Sequence, residues 1–283
     1  VDALNANTTA SNNTAIGKSA MVSNTTGTEN VAVGALSLDA NTTGNYNTAV
    51  GKGTLSANTT ANNNTALGYQ ALILNTTGAS NTGVGANALD ENTTGNNNTA
   101  LGLSALNKNT TADNNTGIGY NVLGANTTGT SNVAVGAGAL DANTTASDNI
   151  AIGKDALGAN TTGAGNVAIG SLTGDAITTG ASNVALGTQA LGTNITGSYN
   201  TATGFESMFA NTASNNTAYG ATSLRTNTSG VANTALGQST LYDNTAGGYN
   251  TAVGFLALND NTTASNNTAV GASALLANTT GDN

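Results

Sequence analysis

The stretch Asn30-Val-Ala-Val-Gly34-Ala-Leu-Ser-Leu38-Asp-Ala-Asn41-Thr-Thr-Gly44 decides the fold, because variants of it fill the chain. Its glycine is one of a series. Gly17, Gly34, Gly51 and Gly68 are 17 residues apart, and the spacing holds to Gly204. The next glycine, Gly220, comes one residue early, and the period resumes through Gly237, Gly254 and Gly271. Sixteen copies of one short unit make up the 283 residues. A fixed period this short marks a solenoid, in which each unit buries its apolar face against its neighbours.

Numbering each unit from its glycine as position 0, position 13 is Asn (Asn47, Asn64, Asn81). Positions 14 to 16 read Thr-Ala-Val, Val-Ala-Val, Thr-Ala-Leu or Ile-Ala-Ile. That alternation predicts a strand with positions 14 and 16 inward and the small position 15 outward. Position 4 is nearly always Leu (Leu55, Leu72, Leu89), with a small residue before it, which predicts a second short strand. The glycine then sits at the bend between strands, where a residue without Cβ can take positive φ. Asn-Thr-Thr-Gly/Ala at positions 7 to 10 supplies the longer turn. The expected fold is therefore all-β: a parallel β-roll or β-solenoid of about sixteen 17-residue coils, two strands each. Stacked at about 4.8 Å, the coils make a rod of roughly 75 Å, a single array over residues 1–283. The ladder residues are expected to be Gly34, Gly51 and Gly68, with Asn47, Asn64 and Asn81, and Leu55, Leu72 and Leu89. Stacked Asn side chains bond along such an array.

Composition sets the limits on function. Charged residues are 7% and aromatics 4%, and the chain has no Cys, His, Pro or Trp. A net charge of −9 with five Lys and Arg excludes the basic footprint that nucleic acid needs. No apolar run is long enough to span a membrane in this section. Without His or Cys there is no Ser-His or Cys-His pair, and the carboxylates are scattered singly apart from Asp90-Glu91. No enzyme, cofactor or metal is expected; the Gly-Gly-x-Gly-x-Asp calcium repeat is missing. Asp39, Asp90 and Asp141 hold one site three coils apart, about 14 Å, which is beyond the screening length at physiological salt. Asn-Thr-Thr is also a glycosylation sequon; rungs at about 4.8 Å leave room to modify only a subset. The chain starts inside a unit and stops after an Asn-Thr-Thr-Gly, as expected of a section of a longer polypeptide. Irregular coils are expected near 171–180, where Gly174 and Ile177 replace Leu and Asn, and near 205–216, where a turn residue is missing and Phe205, Met208 and Phe209 cluster.

The segments Asn30-Val-Ala-Val-Gly34, Asn166-Val-Ala-Ile-Gly170 and Asn183-Val-Ala-Leu-Gly187 resemble the head repeat of trimeric autotransporter adhesins. The fuller unit is similar to repeats of phage and bacterial tail-fibre-like proteins. The resemblance covers the chain, with a longer turn and more Thr than the adhesin repeat. It implies a left-handed roll, three chains side by side, and an extracellular, cell-surface or virion-surface appendage. A homo-oligomer also has a reason in the residues, since the small position 15 is expected to leave a smooth face that a second copy can cover. The expected function is a structural or adhesive fibre shaft or head, whose partners are its own copies and a host-surface glycan or protein. The alternative is an ice-binding solenoid using Thr ladders. Against it, Thr42 and Thr43 are adjacent and position 14 is expected inward.

Overall fold

The computed structural model describes residues 2–282. It is all-β, with sixteen three-residue strands among the described residues and no helix. The chain divides into two compact units, Val1–Thr145 and Ala146–Asn283. The first carries strands β1 (Thr14–Ile16) to β8 (Val133–Val135), and the second β9 (Ile150–Ile152) to β16 (Thr268–Val270). Within each unit every strand pairs in parallel with the next, each position of the coil over the same position of its neighbour. Thr14 faces Val31, and Ala15 faces Ala32. Each unit is thus a β-solenoid of 17-residue coils. At the early glycine, β12 (Thr201–Thr203) still pairs in register with β13 (Thr217–Tyr219). The missing residue is taken out of the turn, because a one-residue slip in the sheet would turn every side chain to the wrong face.

Two expectations about the coil are overturned. The first concerns the second strand. Positions 1 to 6 form no strand, although they are bonded from coil to coil: Leu38 N donates to Thr54 O at 2.9 Å, and Leu36 N to Lys18 O at 3.0 Å. These two amides point to opposite neighbours. Left-handed residues at positions 2 and 4, such as Leu36 (φ 59°) and Leu38 (φ 52°), break the extended ladder. A non-glycine residue in this region costs about 1–2 kcal/mol. Burying a leucine side chain fully returns about 1.5–3 kcal/mol. Leu55, Leu72 and Leu89 are all wholly buried with φ between 50° and 54°.

The second correction concerns the direction of the strand. The middle residue faces in and its neighbours face out: Ala32, Ala49 and Ala66 are buried, while Ile16, Leu67 and Leu101 are exposed. The tube is too narrow for the opposite arrangement. A Cβ added at Gly83 would lie 3.4 Å from Leu72 Cδ1, so a methyl group fills the space that remains. Position 15 is small because the leucine has taken the room, and it is not the smooth outer face.

The other half of the interior is polar. Asn at positions 7 and 13 is buried from Asn24 to Asn267. Position 7 forms a side-chain ladder, in which Asn41 Nδ2 donates to Asn24 Oδ1 at 2.8 Å and to Gly44 O at 3.0 Å. Position 13 mostly bonds main chain. Asn47 N donates to Asn30 Oδ1 at 2.9 Å, and its Nδ2 to Ala61 O at 2.9 Å. Asn64 and Asn81 repeat the pattern, donating to Gly78 O at 2.9 Å and Gly95 O at 2.7 Å. Each of these amides closes a turn and joins two rungs, so these buried asparagines find their partners within the protein.

Candidate interaction surface

Three outward surfaces follow from this coil. On the strand face, positions 14 and 16 stand out from every rung, two residues apart. Position 16 is a column of Val, Leu and Ile, broken by Thr203 and Tyr219. Position 14 is Thr in eleven coils and Val or Ile in the other five. Within each unit this leaves an apolar strip exposed on the sheet. The outward position 14 removes one of the two grounds for setting ice binding aside. A different ground replaces it: side chains from Val to Tyr in one column do not make a repeating plane.

Positions 12 and 1 flank the strand face. Here stand the exposed rings of Tyr46, Tyr69 and Tyr120 in the first unit and Tyr199, Phe205, Tyr249 and Phe255 in the second. Position 12 is left-handed, with Tyr199 at φ 59° and Tyr249 at φ 59°, which holds these side chains clear of the coil. The third surface is the Asn-Thr-Thr turn. Its first Thr is half-buried and bonds the next rung, as in Thr42 Oγ1 to Thr59 O at 3.1 Å, whereas Thr43 is exposed. The sequon asparagines Asn41, Asn58 and Asn92 are completely buried and bonded, so the folded chain presents none of the three to a modifying enzyme.

The anchor glycines line the bend. Gly34, Gly51 and Gly68 have φ between 133° and 137°. A Cβ on Gly68 would lie 2.6 Å from the oxygen of Gly85 on the next rung. The bend therefore requires both glycine's φ range and its bare backbone.

Among the described residues, no three His, Cys, Asp or Glu side chains could hold a metal ion. Burial raises the carboxyls of Asp90 and Asp175 above the usual aspartate value, assisted by Glu91 and Asp155 respectively. Asp90 Oδ1 and Asn107 Oδ1, one rung apart at position 5, are buried without hydrogen-bond partners. Arg225 Nε donates to Glu206 Oε2 at 2.6 Å, and its guanidinium lies 5.3 Å from the ring of Phe209 and 5.8 Å from that of Tyr242. This stack spans three rungs at position 5, beside the coil with the shortened turn. The clustering of Phe205, Met208 and Phe209 resolves into three sites: Phe205 faces out, Met208 fills the leucine position in the core, and Phe209 supports Arg225.

In the other irregular coil, Ile177 is buried and reaches toward Gly174. A Cβ on Gly174 would meet Ile177 Cδ1 at 3.0 Å and Leu157 Cδ2 at 3.2 Å. The isoleucine fills the space of the missing leucine from the asparagine's place. Sequence reasoning had both substitutions but not their compensation, which is visible only when position 7 is known to point at position 4. Neither a family model nor a curated protein sequence matches this chain.

Proposed function

We propose that the chain is a non-enzymatic structural or adhesive fibre segment, a rigid rod used for spacing or attachment on a cell-surface or virion-surface appendage. Three copies pack side by side through the apolar stretches of their strand faces, outside residues 199–255. The observation that carries this reading is the outward apolar column at position 16. It exposes Leu67, Leu101, Ile118, Ile152 and Ile169, which a lone chain would leave in water. The number three comes from the resemblance to autotransporter adhesin heads and tail fibres. The column's mixed side-chain lengths suit interdigitation with partner side chains better than a crystal plane of water.

The test is the mass of the intact assembly by light scattering. A trimer is expected, and Leu101→Lys with Ile118→Lys should dissociate it while each coil's interior, which these side chains do not touch, keeps its circular dichroism spectrum. A monomer whose solution shows thermal hysteresis would replace this reading with ice binding.

A further inference from the structure

Aromatic residues are unevenly spread. Of the ten in the chain, seven Tyr and three Phe, seven lie between Tyr199 and Phe255. Two of these hold Arg225, and the other five are exposed. Four of the five form a repeated pair. Tyr199 and Phe205 bracket β12 at positions 12 and 1, and Tyr249 and Phe255 bracket β15 (Thr251–Val253) in the same way. The two brackets are three rungs apart, roughly 14 Å. Tyr199 is 67% and Tyr249 64% exposed.

The surroundings indicate what these rings would hold. The strand face is at its most hydroxylic here: β12 is the one strand with Thr at both outward positions, and Thr217 and Thr251 continue the column. The only cation between Tyr199 and Phe255, Arg225, is tied to Glu206. The surface therefore offers flat apolar rings, hydroxyls and amides, and no free positive charge. A charged headgroup or nucleic acid finds no counter-charge on it. Leu236 is the one large aliphatic side chain exposed here, and a protein hot spot would add a tryptophan or a free arginine to the rings. A sugar fits what the patch offers: its C–H face stacks on an aromatic ring, and its rim of hydroxyls bonds Thr and Tyr hydroxyls. Two equal brackets this far apart suit a chain of sugars and not a single one.

We propose that residues 199–255 carry a binding site for a neutral oligo- or polysaccharide, with Tyr199, Phe205, Tyr249 and Phe255 as stacking platforms. This locates the adhesive part of the proposed fibre and rests on that reading, although not on the number of copies.

Affinity gel electrophoresis of the full chain tests it, with hydroxyethylcellulose, mannan, dextran or soluble starch cast in the gel. Retardation by at least one polymer is expected, weakened about tenfold or more in Tyr199→Ala with Tyr249→Ala. The exposed pair Tyr69→Ala with Tyr120→Ala, in the other unit, should leave it unchanged. Absence of retardation with all four polymers overturns the proposal. So does retardation that survives the first pair or is lost equally with the second. If the first pair instead lowers the assembly mass, these rings are a contact between copies and the site is withdrawn. A wild-type monomer that is still retarded removes the trimer and keeps the site.

Discussion

The two units share a glycine column and differ in their asparagine column. In Val1–Thr145 the position-7 ladder runs unbroken from Asn24 to Asn143, each amide donating to the one before, as Asn92 does to Asn75 at 2.7 Å. In Ala146–Asn283 the ladder is interrupted at Ile177 and resumes only from Asn211 to Asn278. Asn194, within the gap, bonds its own turn alone, giving and taking one bond with Gly197 at 2.9 Å each. Strand pairing does not notice: β10 (Val167–Ile169) and β11 (Val184–Leu186) pair as regularly as any others in the molecule. The sheet and the glycine bend therefore define the coil, and the asparagine ladder reinforces it.

The largest expected effect tests the shared column. Gly68→Ala in the first unit and Gly170→Ala in the second both place a methyl against the next rung, 2.6 Å from Gly85 O and 2.8 Å from Gly187 C. Both positions also have φ near 135°, outside the range L side chains adopt. Each change should cost at least about 3 kcal/mol in its own unit, read as lost hydrogen-exchange protection of the adjacent strands. Gly53, at φ 69° with nothing nearer than 3.7 Å, provides the contrast, and its alanine variant should cost about 1 kcal/mol. If Gly170→Ala were as mild as Gly53→Ala, the irregular unit would not depend on the column and the comparison would fail.

The next effect separates the units. Asn92→Ala strands an acceptor on Asn75 and a donor on Asn109, both buried, while Gly95 O keeps its bond from Asn81. A loss of about 3–5 kcal/mol is expected. Asn194→Ala strands only the Gly197 amide, since Gly197 O keeps its bond from Asn183, and should cost about 2 kcal/mol. Urea midpoints of the two variants would settle it. Equal losses would mean that the ladder adds nothing beyond each turn's own closure.

The period, the parallel stack and the columns were legible in the sequence because stacking puts identical positions in contact, and a 17-residue repeat is the direct record of that. The direction of the strand was not. Alternation in Thr48-Ala-Val50 separates two faces but does not say which is inside, and the usual weighting of Val over Ala gives the wrong answer when Leu55 already fills the tube. The missing second strand was equally hidden. Leucine is among the least expected residues at φ near 50°, and only closing a narrow coil around it requires that conformation. The candidate sugar site was half legible. Phe205 stood out as part of an irregular coil, but its equivalence to Phe255 appears only when the coils are laid in register across the shortened turn.

The smallest expected effect again sets one unit against the other, and its sign is unusual for a carboxylate. Desolvation leads the upward shift of both Asp90 and Asp175 from the ordinary 3.8. A raised folded value means that the folded state binds the proton more tightly than the unfolded one. The resulting stability is fully present below 3.8 and is lost as pH rises through the folded value. The melting temperature should therefore climb slightly between pH 7 and pH 4, and self-repulsion among the net negative charges falls over the same window. Asp90→Asn should raise stability at pH 7, by under about 1 kcal/mol, and flatten the profile. The new amide has a waiting acceptor in Asn107 Oδ1, one rung away. Asp175 has no such neighbour, since position 5 of the next coil is Gly192, so Asp175→Asn should gain less. A melting temperature that falls steadily from pH 7 to pH 4 in the wild type and both variants would show that these carboxylates are not held against their charge.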